Sequence, residues 1–169
     1  GAERQDSVWN GLDALSPQSE IVAIQDGARP CTSAVRIAAT LDASLATGRL
    51  TYPSQAVEVQ MNLIGSHDTV RFLTRTGGDV NRLMLAALFQ MTYVGAPTIY
   101  YGDEVAMEGQ RDPDCRRPFP WNWEQDAKRT AMHAWYTKLA NLRLAHPALR
   151  TGAFRTLAAE GLGYAYSRK

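Results

Sequence analysis

From about residue 55 onward, apolar positions alternate between strand-like runs and a helix-like period. Residues 56–64 mix apolar and β-branched side chains between Pro53 and Gly65, a pattern that predicts a short buried strand. Asp79 is a candidate N-cap for the helix that follows, which should end near Gly95. The apolar residues of that helix recur at helical spacing: Val80, Leu83, Met84, Ala87, Leu88 and Met91.

A second short strand is predicted at residues 98–101, so two parallel strands joined by one helix would form a βαβ unit. Polar residues follow both strands: His67 and Asp68 after the first, Asp103 and Glu104 after the second. Enzymes of the α/β type place their chemistry at this end of the strands. An alternative is that Ser66 or Asp68 only caps the next helix and that His67 is incidental.

The rest of the chain contains a loop, a long helix and a β-hairpin. The loop carries the adjacent pair Arg116 and Arg117, which suits either a solvated turn or a binding surface. Apolar residues in 126–144 are spaced for one buried helix face. Residues 152–169 alternate in polarity around a Glu160-Gly161 break, which predicts the first hairpin of an all-β unit.

Composition indicates a soluble globular protein. The chain has 169 residues, a formal net charge of +1, 45% hydrophobic residues and 21% charged residues. The sequence lacks a basic stripe, a bilayer-length apolar run and a signal-peptide pattern, so we expect a cytoplasmic protein with no nucleic-acid or membrane partner. Cys31 and Cys115 lack zinc-ligand spacing and are expected to be free thiols.

Three linked segments carry a resemblance to a known family: GSHDTVRFLTRTGGD, GAPTIYYGDEVAMEG and DPDCRRPFPW. In this order and spacing they resemble the last two strands of the (β/α)₈ barrel of the alpha-amylase superfamily, most closely its neopullulanase, cyclomaltodextrinase and maltogenic amylase branch. The resemblance covers about residues 41–169. It implies an α/β fold in which residues 41–149 form the last two βα units of a TIM barrel and residues 150–169 begin a C-terminal β-domain.

The same resemblance implies roles for individual residues. Asp68 matches the carboxylate that stabilises the transition state by holding hydroxyls of the sugar ring under attack, and His67 matches a histidine that contacts the same sugar. Arg71 is expected to keep Asp68 ionised and oriented through its opposite charge. Arg71 is also expected at the substrate-binding site, together with Asp103, Glu104, Arg116 and Arg117. Asp103 and Glu104 are expected to brace this site rather than to react.

The resemblance also implies what this chain lacks. A retaining glycosidase needs two carboxyl groups about 5 Å apart, a nucleophile and an acid/base. In the family they come from the fourth and fifth strands, whose motifs are missing here. We therefore expect a fragment of a retaining α-glucan hydrolase that does not hydrolyse pullulan, cyclodextrin or starch alone. The expected substrate class is an α-glucan oligosaccharide, and no metal or other cofactor is expected. The resemblance allows homo-oligomers of the full-length parent.

A second resemblance lies in residues 1–39, where GAERQDSVWNGLDAL and EIVAIQDGARPCTS are similar to 2-C-methyl-D-erythritol 4-phosphate cytidylyltransferase. It implies a nucleotidyltransferase-type α/β fragment at residues 1–40, with Ser7 and Asp26 contacting the nucleotide, Arg29 on the substrate side, and Mg and CTP as cofactor and substrate. The glycine-rich triphosphate loop of that family is missing. Two resemblances in one chain predict a chimera or a mis-assembly, or else a divergent amylase with an accidental match.

Overall fold

The computed structural model describes the backbone of residues 21–26 and, with side chains, residue 46 and residues 49–160 and 163–169. These residues fall into two compact units. One comprises Met61–Met91 and Ala96–Ala145, and the other comprises the described residues up to Gln60, Thr92–Gly95 and His146–Lys169. The strands and α-helices are β1 Ile21–Asp26, α1 Ser54–Val59, β2 Met61–Leu63, α2 Phe72–Arg75, α3 Val80–Thr92, β3 Ala96–Thr98, α4 Ala127–Ala145, α5 Pro147–Thr151, β4 Phe154–Glu160 and β5 Gly163–Arg168.

The first unit is built on a βαβ arrangement, as predicted. Strands β2 and β3 are parallel, with Met61 opposite Ala96 and Leu63 opposite Thr98. The Gln90 side chain on α3 donates to the main-chain carbonyls of Asn62 and Thr98, both at 2.8 Å. The connecting helix is therefore fastened to both strands, and the carboxyl ends of the strands lie side by side.

The predicted strand at residues 56–64 is wrong in its first half, because Ser54–Val59 forms helix α1. The carbonyl of Pro53 accepts hydrogen bonds from the backbone N–H groups of Ala56 and Val57, at 2.9 and 3.2 Å, so the helix starts directly after the proline. The extended backbone of Gln60 ends it. Alternating Ala, Val and Glu fit a helix as well as a strand, so the local pattern alone was ambiguous.

Strand β3 also lies earlier than the predicted residues 98–101. A turn in which the Asp103 N–H donates to the Tyr100 carbonyl, at 3.1 Å, follows the strand. Gly102, at φ 90°, takes the left-handed conformation that this turn requires. The two tyrosines that suggested a longer strand therefore belong to the loop that carries Asp103.

Helices α3 and α4 enclose the core of the first unit. Trp135 on α4 donates its indole N–H to the Met84 carbonyl on α3, at 3.0 Å, and Arg143 donates to the Met91 carbonyl at 2.8 Å. The prediction of a long helix with one buried face is confirmed. The buried cluster consists of Leu73, Leu83, Ala87, Met91, Ala106, Met132, Tyr136 and Leu139.

The second unit contains an antiparallel sheet of strand order β1-β5-β4. The predicted hairpin is confirmed as β4 and β5, and β5 also pairs with β1, with Ile21 opposite Arg168. A cluster of aromatic rings packs in this unit, and Phe154 lies 5.1 Å from Tyr93 and 4.9 Å from Tyr166 between ring centroids. In the described part of the chain, none of the helices is both long and apolar enough to span a membrane.

Candidate active site

The turn after β2 presents His67 and Asp68 to solvent. Ser66 forms this turn: its hydroxyl accepts from the Asp68 N–H at 3.3 Å, and its own N–H donates to the Thr69 hydroxyl at 3.2 Å. The His67 Nε2 and Asp68 Oδ2 atoms lie 3.3 Å apart, and the two side chains are 63% and 69% exposed. Helix α2 begins later, at Phe72, without a side-chain cap, so capping does not explain Asp68.

Arg116, from the loop after β3, is the cation that reaches this turn. Its Nη2 lies 3.5 Å from Asp68 Oδ1, and its Nε donates to the His67 carbonyl at 3.1 Å. The same Nε lies 2.9 Å from an Asp112 carboxylate oxygen. Arg116 therefore connects the two loops that follow the parallel strands.

The expected contact between Arg71 and Asp68 is corrected by the structure, because Arg71 turns inward. Its Nη1 lies 3.3 Å from Asp103 Oδ1 and donates to the Tyr101 carbonyl at 2.8 Å, while its Nε donates to the Cys115 carbonyl at 3.0 Å. A guanidinium enclosed by protein needs these partners, because an unpaired buried charge is costly. Asp68 is 69% exposed, so an ion pair with it would be weakened by solvent.

Asp103 is only 3% exposed and lies beneath the loops that follow β2 and β3. Burial raises the pKa of its carboxyl group to about 6, the Arg71 charge opposes that shift, and the neighbouring Glu104 charge adds to it. Arg71 and Asp103 were both expected among the substrate-binding residues. Their burial corrects the expectation of direct contact with a sugar, because neither side chain reaches the surface, whereas the bracing role expected of Asp103 stays a prediction.

Glu104 is half-buried, between the surface and the core of this unit. Within the described residues, its Oε2 and the hydroxyl of Tyr136 are buried without a hydrogen-bond partner. The pKa of Tyr136 is raised, first by burial and then by the charges of Asp103 and Glu104. The substrate-binding role expected of Glu104 stays a prediction.

Arg117 has a different role from its neighbour Arg116. It forms a two-pronged ion pair with Asp114, with Nε and Nη2 at 2.7 and 2.9 Å from the two carboxylate oxygens. This guanidinium, followed by the Gln110 N–H, lowers the pKa of Asp114. Tyr101 donates its hydroxyl to the Arg117 carbonyl at 2.9 Å. Arg117 thus shapes its loop, and its predicted contact with substrate stays a prediction.

Sequence reasoning missed two residues of this site. The buried thiol of Cys115 is free, as expected, and donates to the His67 carbonyl at 3.1 Å. Asp112 shares Arg116 with Asp68. The signal that could have identified both is their position in the DPDCRRP motif, where Cys115 directly precedes Arg116 and Asp112 lies four residues before it.

Other predicted residues lie apart from this site. Ser7, Arg29 and Cys31 fall outside the described residues, and Asp26 is described only as the last backbone position of β1. Among the residues that the structure describes, no group of three or more His, Cys, Asp or Glu side chains could hold a metal ion.

The chemistry available at the surface is that of a carboxylate, an imidazole and a guanidinium held side by side. Carboxylate oxygens accept short, charge-assisted hydrogen bonds from hydroxyl groups, and imidazole and guanidinium N–H groups donate them. This combination suits a ligand with many hydroxyl groups.

A parallel βαβ unit with polar side chains after both strands is the arrangement in which α/β domains place their sites, at the carboxyl ends of the strands. Residues 34–146 match the family model described as the alpha amylase catalytic domain, and the chain belongs to the alpha-amylase family. The resemblance found in the sequence is thereby confirmed at the level of the family. The βαβ unit is accordingly part of that family's (β/α)₈ barrel.

Individual relatives show which members of the family the chain is similar to. A cyclomaltodextrinase of a Bacillus species is 50% identical over 109 residues, which are 64% of this chain and 19% of that enzyme. Neopullulanase 2 of Thermoactinomyces vulgaris is 47% identical over 115 residues, 68% of this chain and 19% of that enzyme. The acarbose-soaked crystal structure of a Nostoc punctiforme debranching enzyme has a TM-score of 0.70 and 36% identity, covering 83% of this chain and 28% of that one.

The chain thus spans about a fifth of the length of the curated relatives it matches. The family match begins at residue 34, inside the segment assigned to the second resemblance. The comparisons do not support a cytidylyltransferase origin for residues 1–39 or a chimeric chain.

Proposed function

We propose that this chain supplies a sugar-binding part of the active site of an α-glucan hydrolase. The observation that carries the proposal is the arrangement of Asp68, exposed after β2, with His67 at 3.3 Å and Arg116 at 3.5 Å. The relatives named cyclomaltodextrinase and neopullulanase support an α-glucan as the ligand.

In this proposal, Asp68 accepts hydrogen bonds from hydroxyl groups of the sugar ring under attack. These bonds strengthen as the ring flattens and gains positive charge toward an oxocarbenium ion, so they favour the transition state. His67 donates a further hydrogen bond to the same sugar. Arg116 keeps the carboxylate in place and offers its remaining N–H groups to the ligand.

We further propose that this polypeptide alone binds α-glucans but does not hydrolyse them. Hydrolysis with retention needs a nucleophile and an acid/base about 5 Å apart. After β2 and β3 the described residues offer the exposed Asp68, the buried Asp103 and the half-buried Glu104. Further along the second loop, Glu108, Asp112 and Asp114 are each held in an ion pair, with Lys128, Arg116 and Arg117 in turn. The proposed role of Asp68 is to bind hydroxyl groups, so both reacting carboxyl groups would have to come from elsewhere. The reaction would need no cofactor.

Two measurements on the purified 169-residue polypeptide test the proposal. Reducing-sugar release from β-cyclodextrin, pullulan and starch should be absent, and its appearance would refute the inactivity of the chain. Saturation-transfer NMR should detect binding of maltotriose, weakened about tenfold or more by Asp68→Asn, since hydrogen bonds to a charged group are lost. Asp79→Asn, on the N-terminus of α3, is the matched control. Binding that is absent, or indifferent to Asp68→Asn, would refute the site.

A further inference from the structure

Arg71 holds the turn after β2 against the loop that follows β3. Its backbone N–H donates to the Gly109 carbonyl at 3.0 Å. Its side chain, fully buried, donates to the carbonyls of Tyr101 at 2.8 Å and Cys115 at 3.0 Å. Since Gly109, Cys115 and Tyr101 all lie at or beyond the end of β3, Arg71 fastens this loop at three points.

One of these three points adjoins the site itself. The Cys115 carbonyl, which Arg71 holds, belongs to the peptide group that leads into Arg116. Cys115 and Arg116 each donate to the His67 carbonyl, both at 3.1 Å, and Arg116 continues to Asp68. The direction in which the Arg116 side chain leaves the loop therefore depends on a peptide group that Arg71 fixes.

Asp103 is the counter-charge that keeps Arg71 in this position. The charged or titratable groups around its carboxylate are Arg71 at 3.3 Å, the adjacent Glu104, and Tyr136 from α4. Arg71 is the cation of this set, and its guanidinium also lies over the Tyr100 ring, 4.5 Å from the centroid. Removal of the Asp103 charge would leave the guanidinium with carbonyl partners and aromatic faces only.

We propose that Asp103 is a positioning residue that acts through Arg71 and the Cys115 peptide to place Arg116 against Asp68. Asp103 does not touch substrate in this arrangement. Its effect on sugar binding rests on the function proposed above, whereas its effect on Arg116 does not.

The first test therefore measures Arg116 without any sugar, by NMR detection of its Nε–H proton. In Asp103→Asn this signal should shift, and its exchange with solvent should become about fivefold faster or more as the local contact opens. Asp79→Asn, which neutralises an exposed carboxylate paired with Arg82 at 3.2 Å, should leave the signal unchanged. An unmoved Arg116 signal in Asp103→Asn would overturn the proposal.

A purely structural role is distinguished by the indole N–H of Trp135, which donates to the Met84 carbonyl in the same unit. If Asp103 positions Arg116, the exchange rate of this indole proton changes much less in Asp103→Asn than that of Arg116. Equal acceleration of both protons would mean general loosening of the unit and would overturn the proposal.

The wild-type chain provides a second test that stands even if Asp103→Asn does not fold. Burial raises the pKa of Asp103 to about 6. The Arg116 Nε–H signal should then shift with pH at the same midpoint as the carboxyl carbon of Asp103. The His67 ring protons are followed in the same samples. An Arg116 shift that follows His67 and not Asp103 would overturn the proposal.

The last measurement concerns the ligand. Asp103→Asn should weaken maltotriose binding about tenfold, because the displaced Arg116 side chain would lose its charge-assisted contact with the sugar. Asp79→Asn should leave the binding unchanged. Unchanged binding in Asp103→Asn would overturn the connection to the sugar site. If the wild-type chain binds no maltotriose, the proposed function fails, and the Arg116 signal still decides whether Asp103 positions that side chain.

Discussion

Arg71 and Asp103 form a buried ion pair, with Nη1 and Oδ1 3.3 Å apart and side chains 0% and 4% exposed. The two residues come from different loops, one after each parallel strand. Burial of both charges is costly, and the cost is offset only in part by their mutual attraction and by carbonyl partners of the guanidinium. The loops that form the candidate site are therefore joined beneath its surface.

Replacement of Arg71 with methionine should destabilise the chain by about 3 to 5 kcal/mol, because it leaves the Asp103 carboxylate buried without its counter-charge. Urea unfolding followed by circular dichroism measures the change. Arg82→Met is the matched control, since Arg82 pairs with Asp79 at 3.2 Å on the surface and its loss should cost about 1 kcal/mol or less. Similar losses in both variants would show that burial does not set the cost.

Asp103 should also make stability depend on pH. Its pKa rises from an ordinary value of 3.8 to about 6 in the folded state, chiefly through burial. Since the folded state holds this proton more tightly, the resulting stabilisation is complete below the unfolded pKa and is lost as pH rises through about 6. A pKa difference of this size between the unfolded and folded states corresponds to about 3 kcal/mol in the free energy of unfolding.

The measurement is the free energy of unfolding of the wild-type chain relative to Asp103→Asn, between about pH 4 and pH 7.5. Other carboxyl groups contribute to both proteins and cancel in the difference. The relative stability of the wild type should fall as pH rises and level off above about pH 6 to 7. A flat difference would mean that the folded chain does not hold this proton more tightly.

Sequence reasoning predicted the elements whose signals are local. The βαβ unit, helix α4 and the terminal hairpin each have an apolar period or a turn signal within a few residues. The prediction was wrong for residues 56–59, because a short mixture of Ala, Val and Glu fits a helix as well as a strand. Only the position of Pro53, directly before the helix, decides between the two. The three-residue strands are shorter than predicted because their pairing, not their composition, sets their ends.

The candidate site was predictable in its position but not in its contacts. Asp68 and Asp103 both follow strands in the sequence, yet the first is exposed and the second is buried. Arg71 lies three residues after Asp68 but pairs with Asp103, 32 residues away. The Asp103 carboxylate is buried, so water does not compete with Arg71 for its oxygens. Such a choice depends on burial, which only the folded chain defines.

Asp79 should stabilise α3 as its N-cap. Its Oδ1 accepts hydrogen bonds from the backbone N–H groups of Asn81 and Arg82, at 3.0 and 3.3 Å. Asp79→Ala should lower the free energy of unfolding by about 1 kcal/mol, and Asp79→Asn, which keeps an accepting oxygen, should have little effect. Urea unfolding of the three proteins checks this, and equal losses in Ala and Asn would assign the effect to charge instead of capping.

Two glycines separate the cost of a left-handed backbone from the cost of crowding. Gly102 and Gly77 have φ of 90° and 69°, so alanine is strained at both. A Cβ at Gly102 would overlap the Met107 side chain, whereas a Cβ at Gly77 would meet nothing within 4 Å. Gly77→Ala should therefore cost about 1 kcal/mol, from backbone strain alone, and Gly102→Ala about 1 to 3 kcal/mol more. Because Gly102 forms the turn that leads into Asp103, Gly102→Ala should also move the Arg116 Nε–H signal, and Gly77→Ala should not.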